Sequence, residues 1–437
     1  MKKARSIISL VLALLFTVSL FGGCEVNDSR EPAGGDTGGT GTGDKILTLM
    51  VESSSPAETV ARATADEFYE LTGYNIVVDS VAYSGFYEKL MSEMRSGNAG
   101  HDIAAIDIVW FSGMREGLLP LGDAVPDDID DAVGTLVDGL TYDGELYGLP
   151  LWTNCEVLFY RKDLFEEENS KTDFKTRYGY DLAPPVDWQQ YKDISEFFTR
   201  DQMYGSTLVA KAGESVVCRL LDFALQAGAT GAIFDPDGNL NITTQPYIDG
   251  MNFMLDLYNS GVVPPEALAM ELSEAGQFFQ DGSSALNIGW AHGYRTYVED
   301  LGVEKVGVAP MISGSAGIAS LPGPWYNAIL RNSPNTEIAK EYLQFIWDRN
   351  EEYMNAGLRL CARKSIMEKY YGKEGYEVVK VVMDTLDSPQ SMNRPSHEKW
   401  SQIADIIAQH IQSCFLGQVD AAAALQAAQN EIEALIA

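Results

Sequence analysis

Apolar residues recur along this chain with two periods, and the alternation between them predicts a fold class. Ile46 to Val51 is an apolar run that reads as a first strand, and Glu52-Ser53-Ser54-Ser55-Pro56 reads as a strand-to-helix loop. From Thr59 to Leu71 the apolar positions Val60, Ala61, Ala65, Phe68 and Leu71 fall near one face of a helix, closed by Thr72-Gly73. Asn75 to Val81 is a second, valine-rich strand; Tyr83 to Arg95 is a second helix, stopped by Ser96-Gly97-Asn98; Asp102 to Ile108 is a third strand. Strands alternating with helices of this length predict a parallel sheet in an α/β domain.

The pattern then changes. Gly144 to Tyr160 reads as a strand that leaves one lobe and enters another. Pro184-Pro185 followed by Asp187-Trp188 opens a helix running to Phe198, with Asp187 as its cap. Asp235-Pro236-Asp237-Gly238-Asn239 lacks the alternating oxygen ligands and closing glutamate of a calcium loop and predicts a β-turn. Met251, Met254, Leu255 and Tyr258 share one helix face, and Gly261 to Pro265 ends that helix. Ser284 to Trp290 and Val306 to Met311 read as strands, Ile338, Ala339, Tyr342, Leu343 and Ile346 mark another helix face, and the chain is helical from about His397.

The N-terminus has a different character. Lys2, Lys3 and Arg5 precede an apolar stretch from Ile7 to Phe21, the marks of an export signal over residues 1–23. Ser19-Leu20-Phe21-Gly22-Gly23-Cys24 resembles the lipobox of bacterial lipoproteins, in which the cysteine is acylated and becomes the mature N-terminus; Phe21 stands where leucine is usual. Residues 24–44 contain a Gly/Thr-rich run with little to bury, a flexible tether to a body that starts near Lys45. Residues 45–437 are too many for one ordinary core and predict two lobes. No later stretch is long and apolar enough to span a membrane.

Charge and cysteine count narrow the role. The chain has 31 Lys+Arg against 63 Asp+Glu, a formal net charge of -32. This argues against nucleic acid, an acidic substrate and an electrostatic grip on an anionic membrane, and is compatible with a neutral ligand. Cys155, Cys218, Cys361 and Cys414 follow no metal-site spacing; they allow disulfides or stand as free buried thiols, and the sequence leaves both open.

No hydrolase elbow, phosphate loop or dinucleotide fingerprint is present, and no two of the four histidines sit at a zinc spacing. No catalytic residue, metal or cofactor is therefore expected. Aromatic residues stand at element ends instead: Trp110 after the third strand, Trp152 in the crossing segment, Trp290 at the tip of a strand, and Trp325-Tyr326 after Gly323-Pro324. An aromatic face offers flat apolar area to the C–H face of a sugar ring, and α/β sheets hold ligands outside their strand ends.

From Ile46 onward the order of features resembles the extracellular solute-binding proteins of ABC importers, in the branch that includes maltose- and other sugar-binding proteins. The resemblance rests on Asp102-Ile103 through Trp110 with Gly117 to Leu121; on Tyr147 to Pro150 with Asn154, Leu158-Phe159-Tyr160 and Lys162 to Phe165; on Ile288-Gly289-Trp290; and on Ser333-Pro334-Asn335 with Ala339 to Ile346. It implies a type II periplasmic-binding-protein-like fold: lobe one over 45–150 plus 320–355, lobe two over 153–318 plus 360–437, and a ligand cleft between them. It implies capture of a neutral sugar or oligosaccharide, delivery to permease subunits, a monomer, and lipid anchoring through Cys24 at the outer face of the cytoplasmic membrane. Trp290 is expected to stack on the ligand and Asp107 to accept hydrogen bonds from it, with Trp325 or Tyr326, Trp110, Tyr83, Ser84, Ser54, Trp152 and Asn154 contributing. The family proline near Cys361 is absent, and Asn154-Cys155 sits at another crossing, which would allow a Cys155–Cys361 bridge. A sensor module for a membrane receptor and a surface glycoside-processing enzyme are the competing roles.

Overall fold

The computed structural model describes residues 45–53, 55–97, 100–134, 136–200 and 202–437. The export signal, the tether with Cys24, and Ser54 lie outside these, as does the side chain of Ser84. The first strands and helices follow the apolar pattern: β1 (Ile46–Glu52), α1 (Pro56–Thr72), β2 (Asn75–Val81), α2 (Tyr83–Ser96) and β3 (Ile103–Asp107). The helix α1 begins earlier than its apolar face suggests, because Pro56 occupies its first turn and the Ser55 hydroxyl accepts from the Glu58 N–H. Gly73 ends it in the left-handed region, with φ of 73°. Its buried face is Ala57, Val60, Ala61, Thr64 and Phe68, whereas Leu71, expected on that face, is 65% exposed.

β2 and β3 both pair in parallel with β1. Asp102, just before β3, is buried and accepts from the Thr48 N–H and hydroxyl, both at 2.8 Å, and from the Ser333 hydroxyl at 2.6 Å. It thereby fastens β1 and β3 to a turn far along the chain.

The segment Gly144 to Tyr160 is several elements rather than one strand. After a small hairpin of β4 (Thr141–Tyr142) and β5 (Glu145–Leu146), β6 (Leu149–Trp152) joins the large sheet and β7 (Glu156–Arg161) founds a second one. Between β6 and β7, Thr153 to Cys155 makes the first crossing. The second sheet has the order β8-β7-β9, with β8 (Leu286–Trp290) and β9 (Val306–Ala309) both antiparallel to β7. The chain then returns, and β10 (Trp325–Ile329) inserts antiparallel between β3 and β6, giving the order β2-β1-β3-β10-β6. The result is a mixed α/β, two-lobed architecture of the periplasmic-binding-protein type.

Three stretches of chain run side by side at the crossing. The Gly323 N–H donates to the Asn154 carbonyl at 2.7 Å and the Thr153 N–H to the Cys361 carbonyl at 3.2 Å. Fully buried Asn350 donates to the Leu151 carbonyl and accepts from the Ala362 N–H. Cys155, Cys218, Cys361 and Cys414 are buried and unpaired, so the Cys155–Cys361 bridge that the resemblance would allow is not formed.

The second lobe's core also holds charge. The helix Glu214–Gln226 presents Arg219 to Glu156 at 2.9 Å, with side chains 2% and 1% exposed, and Arg219 donates again to the Ile288 carbonyl. Asp222, one turn on, accepts from the Leu321 N–H at 2.8 Å and the Ser320 hydroxyl at 3.1 Å. Burial and the neighbouring Glu156 push the Asp222 carboxyl well above the usual range. This network clamps the returning segment to the second lobe. Removing one member of a buried pair strands the other without water, so Arg219→Ala is predicted to lower the unfolding free energy by about 3–5 kcal/mol in guanidinium titrations. A loss under about 1 kcal/mol, the scale of an exposed pair, would contradict the clamp.

Candidate functional site

The carboxyl ends of β1, β3, β6 and β8 and the start of β10 converge: Glu52 ends β1, Asp107 ends β3, Trp152 ends β6, Trp290 ends β8 and Trp325 opens β10. Trp325 is in register with both Asp107 and Trp152. In front of them lies a cavity of about 360 Å³, bordered by Glu52, Tyr83, Asp107, Asn154, Glu214, Trp290, Trp325 and Arg394 among others. A neighbouring cavity of about 510 Å³ shares Glu52, Asn154, His292 and Trp325 with it and adds Trp152, Arg295 and Glu299. A third, of about 350 Å³, shares Trp290 and His292. Sharing these walls, the three cavities adjoin one another and together form a trench.

The expected site residues divide by geometry. Trp290 is half-buried and stands against Gly323, where a Cβ would meet the indole at 2.6 Å; only glycine permits that approach. Trp325 stacks on Trp152 with ring centroids 5.9 Å apart and 19° between planes, and meets Trp110 edge-on at 5.5 Å. Trp110 also stacks on Phe86 at 5.2 Å and is nearly buried, so it braces the trench wall while bordering a separate cavity of about 190 Å³. Tyr326 points to the other face of β10, as strand alternation requires. It is fully buried, its hydroxyl donates to the Leu136 carbonyl at 2.8 Å, and it touches none of the three cavities. Of the Trp325–Tyr326 pair, the structure brings only Trp325 to the trench. Asn154 is held in place by His292, whose Nδ1 lies 2.8 Å from the Asn154 amide nitrogen.

Asp107 is tied to side chains. Its Oδ2 accepts from the Tyr83 hydroxyl at 3.2 Å, and its Oδ1 accepts from Nη2 of Arg394. Arg394 reaches on through Nη1 to Glu214 at 3.2 Å, and Glu214 accepts also from the Trp400 indole N–H. The guanidinium lies 5.8 Å from the Trp290 ring. The two carboxylates hold Arg394 charged against the cost of its burial, and burial pushes the Glu214 carboxyl up against the pull of Arg394. Arg394, Glu214 and Glu52 were not anticipated from the sequence. Arg394 sits between Asn393 and Pro395 with no surrounding period to mark it, whereas Glu52 could have been found by the rule that selected Ser54 in the same loop.

Glu52 faces the trench with no hydrogen bond to its carboxyl among the described residues, and burial, followed by the nearby Asp107 charge, pushes its pKa from 4.5 up to about 7. The folded state therefore favours protonated Glu52. Its contribution to stability is complete below pH 4.5 and is lost as pH rises through about 7. Thermal unfolding of wild type and Glu52→Gln between these limits is predicted to diverge, the wild type losing stability relative to the variant as pH rises. Parallel curves would contradict the assignment.

The fold agrees with what comparison with known proteins finds. A family model described as bacterial extracellular solute-binding protein matches residues 53–347. The chain is 22% identical over 383 residues to a probable ABC transporter-binding protein of Deinococcus radiodurans, covering 84% of this chain and 88% of that protein. It is 25% identical over 190 residues to an arabinooligosaccharide-binding protein of Halalkalibacterium halodurans, 42% of this chain and 38% of that one. Among solved structures, maltose-bound MalE3 of T. maritima superposes with a TM-score of 0.75 at 21% identity, covering 89% of this chain and 99% of that chain. A ribitol complex of an ABC transporter solute-binding protein from Agrobacterium radiobacter K84 gives 0.75 at 23% identity, covering 90% and 98%. The family match extends from the loop after β1 into the helix Thr336–Asp348 and so takes in the second sheet, the large sheet apart from β1, and the segment that joins β6 to β7; this chain belongs to the bacterial extracellular solute-binding proteins.

Proposed function

We propose that this protein captures a sugar, oligosaccharide or related polyol in the trench and hands it to the membrane subunits of an ABC importer, without changing it chemically. The observation that carries the reading is the pairing of two indoles, Trp290 and Trp325, with the polar groups of Glu52, Asp107, Asn154 and Glu214 around one cavity. Ring faces bury the C–H face of a sugar while carboxylates and amides satisfy its hydroxyls. The sugars and sugar alcohols bound by structures of like fold, maltose and ribitol among them, support the same reading. Lobe one is assigned to 45–150 plus 320–355 and lobe two to 153–318 plus 360–437, a division supported by the membership of the two sheets. The protein is assigned as a monomer outside the cytoplasmic membrane, with Cys24 as its lipid anchor and residues 24–44 as the tether.

Calorimetry against a panel of mono- and oligosaccharides and polyols tests the ligand class; binding to amino acids or peptides alone would overturn it. With the bound sugar in hand, Trp290→Ala is predicted to weaken binding by about 2 kcal/mol or more, the scale of a buried aromatic anchor. Tyr326→Phe, on the far face of β10, is the control without effect. A change under about 0.5 kcal/mol in the Trp290 variant would remove that residue from the site. For the anchor, Cys24→Ser is predicted to move the protein from the membrane fraction of the producing bacterium to the soluble one, and retention in the membrane fraction would contradict lipidation.

A further inference from the structure

The charges around the trench do not balance. Arg295, at its far end, is paired with Glu299 at 2.6 Å and is neutralised there. Among the described residues, Arg394 is the remaining cation on the walls of the two cavities that Glu52 shares, since burial lowers the pKa of His292 to about 4 and keeps it neutral, and Arg394 is engaged by Asp107 and Glu214 together. Glu52 borders both cavities, interacts unfavourably with Asp107 and has no cation of its own among the described residues. Surplus acid on the outer surface of so acidic a chain would be ordinary, since water solvates it. Here it stands inside a cavity, where burial and the Asp107 charge favour the protonated carboxyl, and a ligand that brings positive charge is what would favour the anion. The indole of Trp325 borders the same two cavities as Glu52. One face of that indole is stacked on Trp152 and the residue is 8% exposed, so it offers the cavity a limited patch of ring; ring surface and a carboxylate on one cavity wall suit an ammonium group, attracted by both the ring quadrupole and the anion.

We infer that the solute carries a protonated amine and that Glu52, beside Trp325, is the residue that selects it: the ligand is an amino sugar or an oligosaccharide containing one. This rests on the sugar reading above and refines it, since the overall charge of the chain admits neutral and cationic ligands alike. The amine would sit between the Glu52 carboxylate and the Trp325 ring, and its hydroxyls would meet Asp107, Arg394 and Asn154. Ligand binding would then draw Glu52 into its ionised form.

The test is calorimetry at neutral pH with matched pairs: glucose, galactose, mannose and their disaccharides, each beside the counterpart in which one hydroxyl is replaced by an amine, and each amine beside its N-acetyl form. The expected result is at least one pair in which the amine binds about tenfold more tightly than both its neutral partners, the scale of a close charge pair. That preference should shrink with added salt and vanish in Glu52→Gln. A best binder whose amine counterpart is no tighter overturns the inference and leaves the sugar reading standing. An amine preference unchanged in Glu52→Gln overturns the role of Glu52. Silence from every sugar, neutral and aminated, overturns both.

Discussion

A guanidinium removed from water must be met by acceptors, and the way Arg394 is met organises the site. Its two carboxylate partners belong to different parts of the chain: Asp107 ends β3 in the large sheet, and Glu214 opens the helix Glu214–Gln226. The segment carrying Arg394 is tied down further by the Ser112–Ser396 hydroxyl contact and by His397 stacked on Phe234. One side chain thus draws three distant stretches to a single point beside Trp290. Leaving any one of them unmet would expose a buried charge, which costs far more than an exposed ion pair contributes. The trench wall is consequently built from groups whose partners are mostly fixed before any ligand arrives, and this preorganisation lowers the ordering cost of binding.

Much of the framework could be read from the sequence because it obeys local rules. The strands β1 to β3 and the helices between them follow apolar periodicity, and Asp187 caps Trp188–Phe198 by accepting from the Gln190 N–H, as its position suggested. The loop at Asp235 is a turn, with the Asp235 carboxylate accepting the Asp237 and Asn239 N–H groups. Trp290 was identifiable because a strand tip followed by Ala-His-Gly is visible without any tertiary knowledge.

What could not be read depended on pairing between remote segments. Whether Trp325 or Tyr326 fronts the cavity is decided by which face of β10 its neighbours leave open, and those neighbours are β3 and β6. The crossing segment looked like one strand because nothing in Trp152-Thr153-Asn154-Cys155 announces that Cys361 and Gly323 will take its hydrogen bonds. The helix Glu214–Gln226 is the plainest case. Arg219, Asp222 and Gln226 form a polar stripe at helical spacing, which periodicity assigns to solvent. All three are buried, and the stripe faces Glu156 and the returning chain instead.

The place of β10 in the large sheet has a consequence for how the chain comes to its structure. β3 and β6 do not pair with each other; β10 lies between them and is the last strand of that sheet to be synthesised. Everything from β7 to β9 therefore has to be looped out before the first sheet can close, and such long-range closure is entropically slow. A polypeptide threaded through a narrow pore from its N-terminus would reach the far side with β3 and β6 still lacking the strand that joins them. Chain order alone would postpone closure of that sheet until the returning segment has emerged.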